Sequence, residues 1–288
     1  MNLDSALAYA QRHELHALIV ASALDILGEW YGAGYDAAAP HALYSGTKSF
    51  WGIAAMHAAN DGILRLDEHV CETIEEWADD ARKAQMTIRQ LLDLTSGYGF
   101  GGLGAGVPIA SKAIATPLRD DPGTIFTYGG VPLQVFGEVL RRKLRSHATS
   151  PHAYLRERIL APAGVQIADW RTLPDGTHTL PTGAFIDARA WLAYGRMLLA
   201  NSARADVREC TSGSAVNPRY GLGFWLDPLA DATGIFYASG ASGQALYIIP
   251  RERCVVVHFA KSNSWKHDAF LKALLGIAAR TKRKPSDG

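Results

Sequence analysis

Apolar residues change their spacing along this chain, and the changes mark its elements. From Ala17 to Trp30 they crowd into two short runs that break near Leu24-Asp25, the pattern of paired strands, and the periodic segment before them suits a helix. A Gly-, Ala- and Pro-rich loop follows over 32–40. Beyond it Phe50, Trp51, Ile53, Ala54, His57 and Ala58 recur at three and four, a helical period that Gly62 ends. Thr87-Ile88-Arg89-Gln90 has the form of a capping box that opens a helix at Leu91-Leu92. Asp121-Pro122-Gly123 is a turn, and Val131 to Leu144 is a helix whose closing basic residues suit its C-terminal dipole. Helices are also expected over 151–160 and 187–200.

In the last third the period falls to that of strands. Tyr220–Leu226, Gly234–Ala238, Gln244–Ile249 and Cys254–Ala260 are short β-rich runs between turn residues, the pattern of an antiparallel meander. A final helix over 267–280 precedes a polar tail, 280–288, whose basic residues read as solvated. The order is strands, a helical middle, then strands and a terminal helix. The two ends are therefore expected to pair in one sheet, with the helices inserted as a lobe. No internal repeat of solenoid length is present.

Composition narrows the class without naming it. The 288 residues are 48% hydrophobic and 20% charged, enough for a sizeable core. Twenty-nine basic against 28 acidic side chains leave a formal charge of +1, which speaks against a nucleic-acid or anionic-membrane partner. No apolar run approaches the roughly 18 residues that a membrane-spanning helix needs. Met1-Asn2-Leu3-Asp4-Ser5 lacks the basic and apolar regions of a secretory signal. Cys71, Cys210 and Cys254 form neither a disulfide framework nor a zinc motif, so a reduced, cytoplasmic protein is the expectation.

The stretch richest in chemistry is Tyr44-Ser45-Gly46-Thr47-Lys48-Ser49-Phe50. A serine opens an apolar-periodic helix and a lysine follows three residues later, on the same face and about 5–6 Å away at Cβ. A hydroxyl becomes nucleophilic when a neighbouring base takes its proton, and a lysine serves if desolvation or nearby positive charge lowers its pKa. The helix N-terminus adds unpaired N–H groups that can face an oxyanion. An N-cap serine beside a solvated lysine has the same spelling, so four residues alone decide nothing. Apolar neighbours, with Trp51 one turn beyond Lys48, favour the chemical reading.

With its surroundings this segment resembles the serine β-lactamase and penicillin-binding-protein superfamily, in particular its class C-like branch of esterases and aminohexanoate-oligomer hydrolases. Ser45-Gly46-Thr47-Lys48 is similar to the family's Ser-x-x-Lys. Asp61 to Val70, Asp-Gly-Ile-Leu-Arg-Leu-Asp-Glu-His-Val, resembles the Gly-x-Leu-x-Leu-Asp-Asp-x-Val segment that follows it. Met86 to Tyr98 is similar to Ile-Thr-Ile-Arg-x-Leu-Leu-x-x-Thr-Ser-Gly over its whole length. The resemblance implies an α+β fold over 1–288 as one catalytic domain, an antiparallel sheet flanked by helices plus a mostly helical lobe. Residues 1–44 with 205–288 would form the mixed lobe and 45–204 the helical one, with the site at their junction.

The same resemblance assigns roles. Phe126-Thr127-Tyr128-Gly129-Gly130 fills the place of the family's Tyr-x-Asn, so Tyr128 carries over while Gly130 lacks the amide that clamps a substrate and helps fix the lysine. A tyrosine facing a lysine ammonium can have its pKa lowered and can take or relay the serine proton. The third motif, Lys/His-x-Gly, maps to Ala238-Ser239-Gly240, so the cation that would meet a substrate carboxylate is absent and a neutral substrate is expected. The backbone N–H groups of Ser45 and Ala241 would form the oxyanion hole. Gly130, Ser239 and Gly240 would lie against the substrate. Trp51, Tyr98, Phe100, Trp225 and Tyr237 are placed to wall an aromatic pocket, although Trp225 suits a core strand equally well.

Other signals fail their context. Gly99 to Gly104 spells Gly-x-Gly-x-x-Gly, but a helix precedes it and Pro108 follows, so a loop at the rim of the site replaces the dinucleotide reading. His13 and His16 have no third ligand nearby, which argues against a metal. Gly240-Ala241-Ser242-Gly243 is not a nucleophile elbow. Ser96 and Ser239 are rival nucleophiles, each without a base at a dependable spacing. The expectation is a cofactor-free serine hydrolase of a small neutral ester or linear amide, with Ser45 as nucleophile, Lys48 as base and Tyr128 as a partner acid or base. A β-lactamase or D-amino-acid peptidase of the same fold, and an inactive relative acting as a binding protein, are the alternatives.

Overall fold

The computed structural model describes residues 1–229, 233–262 and 264–277. Helix α1 (Leu3–Arg12), capped by Asn2, precedes a hairpin of β1 (Ala17–Ser22) and β2 (Ile26–Tyr31). A short strand β3 (His41–Ala42) leads through a 3-10 turn over Tyr44–Lys48 into α2 (Ser49–Asn60). The middle holds α3 (Ile88–Leu92), α4 (Ala110–Ala115), α5 (Val131–Lys143) and α6 (Pro151–Leu155). Strands β4 (Asp169–Trp170) and β5 (Ala184–Ile186) follow, then α7 (Ala188–Ala200) and α8 (Ala205–Cys210). The chain closes with β6 (Trp225–Leu226), β7 (Phe236–Gly240), β8 (Gln244–Ile249), β9 (Cys254–Phe259) and α9 (His267–Leu275).

The two ends pair as their patterns predict. Six antiparallel strands form one sheet in the order β2-β1-β9-β8-β7-β6, and β3, β5 and β4 form a small second sheet. Alternation along the strands divides the large sheet between two cores. Leu18, Val20, Tyr247 and Val256 pack with Tyr9 and Phe270 of α1 and α9, whereas Ile19, Leu246, Val255 and Val257 join the core that contains Trp191 and the helical lobe. Both faces are covered, so these strands carry unbroken apolar runs instead of a polar outer face. Helix α7, which the sequence pattern groups with the helical lobe, packs on β8 and β9. No helix among the described residues is long and apolar enough to cross a membrane.

Three elements depart from their expected spans. The run over 220–226 is a strand only at Trp225–Leu226, because Leu222 N–H donates to the Cys210 carbonyl at 2.9 Å and holds the preceding residues against α8 as a loop. The helix over 151–160 is α-helical to Leu155 and continues as a π turn to Leu160. Helix α9 stops at Leu275, where Gly276 takes a φ of 68°. Residues 278–280 of the expected helix, and the tail after it, lie outside the described residues.

The long segments that carry the resemblance act as struts. Thr87 and Gln90 form the reciprocal capping box, and the turn after α3 receives Thr127 N–H at the Leu94 carbonyl, 3.0 Å away. Gly123 N–H donates to the Thr95 carbonyl at 2.7 Å. That turn thereby anchors the segment leading to Tyr128. Asp61 accepts from Tyr154 Oη at 2.7 Å and from Arg158 Nε at 3.0 Å, which ties the end of α2 to the helix beyond α5.

Candidate active site

Ser45 and Lys48 lie in the 3-10 turn that opens α2. A 3-10 turn eclipses positions i and i+3 more fully than an α-helix does, so the sequence spacing brings the two side chains together. Lys48 Nζ is 3.1 Å from Ser45 Oγ and donates to the Pro181 carbonyl at 3.0 Å. The lysine is only 1% exposed and meets no carboxylate among the described residues, and burial lowers its pKa from 10.5 to about 7. Burial thus favours the neutral amine, the form whose lone pair can accept a proton. Tyr44, just before Ser45, has a φ of 47°, an uncommon conformation for a residue with a side chain. Tyr194 Oη donates to the Ser49 carbonyl at 2.9 Å, and Ser49 Oγ donates to the Gly46 carbonyl at 2.8 Å, so the turn is braced from α7.

Tyr128 closes the other side. Its hydroxyl shares a hydrogen bond with Ser45, and Lys48 Nζ lies 4.8 Å from the centroid of its ring. Burial raises its pKa, and the bond to Ser45 only partly offsets this. The expected lowering does not occur, because desolvation by burial outweighs the bond to Ser45. Tyr128 therefore remains a protonated phenol, suited to giving or relaying a proton. Trp225 stacks on Tyr128 at 5.7 Å, and its face is shared between the two cores.

The third wall is backbone. The last residues of β7 pass so close to the start of the Tyr44–Lys48 turn that a Cβ at Gly240 would stand 2.1 Å from the Leu43 carbonyl oxygen. Only glycine permits this approach. Among the described residues no carbonyl accepts from the backbone N–H of Ser45 or of Ala241. The turn after Gly240 is pinned by the buried Gln244, whose Nε2 reaches the carbonyls of Ala241 and Ser242, each at 3.2 Å, and that of Ala260 at 2.8 Å.

A family model described as Beta-lactamase matches residues 18–280. The chain belongs to the beta-lactamase family. Solved members share the fold at low identity. A proposed 6-aminohexanoate-dimer hydrolase from Bacillus anthracis is 20% identical over 94% of this chain and 80% of its own, with a TM-score of 0.75. A D-stereospecific amidohydrolase from Streptomyces is 16% identical over 96% of this chain and 100% of its own, TM-score 0.73. EstCE1, a hydrolase with promiscuous acyltransferase activity, is 15% identical over 94% and 97%, TM-score 0.74. A search of the curated proteins returns no match.

Seen as a beta-lactamase family site, this one departs at both altered motifs. At Gly130 a Cβ would sit 1.8 Å from the Gly102 carbonyl oxygen, and Gly130 N–H donates to the Gly101 carbonyl at 2.8 Å. The glycine loop expected at the rim thus occupies the room that the motif asparagine would need, and Gly130 offers a substrate nothing. Pro181, a residue that sequence reasoning missed, supplies through its carbonyl the fixing of Lys48 that the asparagine gives elsewhere. A backbone acceptor leaves no signature in a sequence.

The aromatic candidates separate. Trp51 is fully buried with Nε1 donating to the Leu180 carbonyl at 2.8 Å, and Tyr98 is a core residue, so neither walls the pocket. Phe100 is 76% exposed. Trp225 and Tyr237 are paired across β6 and β7, and Trp225 stays beside Tyr128, whereas Tyr237 packs against Tyr247 and His267 in the core under α9 and does not wall the pocket. Ser96 is buried. Ser239 has a partner that spacing could not reveal, since its Oγ lies 3.4 Å from His267 Nε2, and His267 Nδ1 lies 2.6 Å from Tyr247 Oη.

Proposed function

We propose that the protein is a serine hydrolase of small carboxylic esters or linear amides, working through an acyl-Ser45 intermediate. The observation that carries this reading is the buried Lys48 amine 3.1 Å from Ser45 Oγ, its pKa lowered by burial. Lys48 takes the Ser45 proton as Oγ adds to the substrate carbonyl. The new oxyanion is received by the N–H groups of Ser45 and Ala241. As the carbon–oxygen or carbon–nitrogen bond breaks, the proton passes from Lys48 through the Tyr128 phenol to the leaving alcohol or amine. Water then adds to the acyl carbonyl, giving its proton back along the same groups. The Ser45 ester bond breaks, the acid leaves and the serine is restored.

A neutral group next to the scissile carbonyl fits best, since Ala238 brings no cation and Gly130 no amide to it. Those two positions also disfavour β-lactams, and the intact Ser45, Lys48 and Tyr128 disfavour a purely binding role. The test is mass spectrometry after reaction with a p-nitrophenyl phosphonate, beside turnover of short acyl esters, linear amides and nitrocefin by the wild type and Ser45→Ala. The reading expects one adduct, on Ser45, and loss of ester or amide turnover in the variant by about 10⁴-fold or more. An adduct elsewhere, or equal activity of the two proteins, would overturn it.

A further inference from the structure

The carbonyl that receives Lys48 is itself held in place. Pro181 belongs to a short stretch, 179–182, that is bonded on one side to α2 and on the other to α5. Trp51 Nε1 of α2 donates to the Leu180 carbonyl at 2.8 Å, and Leu180 N–H donates to Gln134 Oε1 of α5 at 2.7 Å. Gln134 is 3% exposed, and its Nε2 donates to the Pro108 carbonyl at 3.2 Å. The buried side chain thus meets one donor and one acceptor, a pair that an uncharged amide satisfies and a carboxylate does not. Helix α5 also carries the wall opposite Ser45. Gly130, two residues after Tyr128, caps its start, and Gln134 N–H donates to the Gly130 carbonyl at 3.3 Å. A Cβ at Gly130 would stand 3.0 Å from Pro181 Cγ, so the stretch that holds Lys48 packs where the motif side chain is missing.

We propose that Gln134 is a positioning residue that takes over, one turn along α5, the lysine-fixing task of the side chain absent at Gly130. The inference rests on the hydrolase reading above and deepens it. Positions i and i+4 share a helix face, so the amide at 134 projects on the side of the helix where one at 130 would begin. An amide at 130 would reach the lysine directly, whereas Gln134 reaches it through the Leu180 N–H and the Pro181 carbonyl. The tie sets Lys48 against Tyr128, because Tyr128 and Gln134 flank the start of one helix. In the proposed reaction Lys48 gives its proton to Tyr128 Oη while the phenol proton passes to the leaving oxygen, which keeps the electron pair of the broken bond. Misalignment of these groups slows that passage. Trp51 makes a different tie. It joins the stretch to α2, whose N-cap is Lys48, and so repeats the link that Lys48 already makes to Pro181.

The test uses two esters of one acid, with the wild type, Gln134→Met, Gln134→Leu and Trp51→Phe. p-Nitrophenyl butanoate releases a phenolate that departs without a proton, whereas ethyl butanoate releases an alkoxide that must be protonated as its bond breaks. For each ester kcat/KM reports acylation, and the ratio of the two values is independent of how much of the protein is folded. In both Gln134 variants kcat/KM for ethyl butanoate is expected to fall about tenfold further than that for the p-nitrophenyl ester. The Trp51→Phe ratio should stay at the wild-type value. Both Gln134 variants lack the amide, so either one alone decides the matter if the other fails to fold. A ratio unchanged in the Gln134 variants, or raised as far in Trp51→Phe, would overturn the positioning role and leave the hydrolase reading standing. Cleavage of neither ester by the wild type would overturn that reading, and the role of Gln134 with it.

Discussion

The nucleophile turn and the wall opposite it are built from different materials. On the Tyr44–Lys48 turn the proposed chemistry is carried by side chains whose identities are visible in the sequence, and their environment is a dense apolar core. On the wall formed by 128–130 and 238–241 Tyr128 keeps its side chain, but the family's polar side chains are gone at Gly130 and Ala238. What remains is backbone, brought close by glycine at 130 and 240. The comparison teaches that one half of the site depends on what a residue is, and the other on what it leaves out. Substitutions should reveal this as two different kinds of damage.

After Ser45 itself, the largest effect is expected at Lys48. Lys48→Met should lower kcat/KM by about 10³-fold, within the range for losing a general base, while the protein gains stability. The folded pKa of about 7 lies below the ordinary 10.5, so between these values the unfolded chain holds one more proton than the folded one. Wild-type stability therefore rises with pH across that window and is weakest below it. Thermal melts should show Lys48→Met above the wild type near neutral pH, with the gap closing as pH rises; a variant that melts lower at neutral pH would contradict the burial cost.

Next comes the backbone wall. Gly240→Val should displace Ala241 from the nucleophile turn and cost about 10²–10³ in kcat, the scale of one missing oxyanion donor. Steady-state kinetics on a short ester checks this, and an unchanged kcat would remove Ala241 from the site. Gly130→Asn restores the spelling of the family motif but places a side chain on the Gly102 carbonyl. It should destabilise by about 1–3 kcal/mol, as overpacking does, and should not create nitrocefin turnover. Nitrocefin hydrolysis in a stably folded Gly130→Asn protein would show that the wall can yield. The smallest effect on activity belongs to Trp51→Phe. Losing the buried bond to Leu180 should cost about 1–2 kcal/mol in denaturant unfolding and leave KM for esters unchanged.

The same contrast explains what was legible beforehand. Periodicity and caps located α2, α3 and α5 and the pairing of the two ends, because local patterns and burial agree there. Ser45, Lys48 and Tyr128 were legible as side chains in recognisable surroundings. Pro181, which holds Lys48, acts through a carbonyl that any residue would supply. Trp51 and Trp225 look alike in sequence, and only the packing of distant segments decides that the first is core and the second faces the site. Gln244 and His267 become meaningful once β7, β8 and α9 are brought together, and no spacing along the chain announces that.

The central claim is that a buried Lys48, its pKa lowered, activates Ser45. Its most direct test is the rate of the p-nitrophenol burst from a short p-nitrophenyl ester, followed by stopped flow across pH. The burst rate should rise with pH through a single step near 7, as Lys48 loses its proton. It should then stay level to beyond pH 10, because Tyr128 is held protonated by burial. A step near the ordinary lysine range, or a burst rate indifferent to pH, would contradict the account.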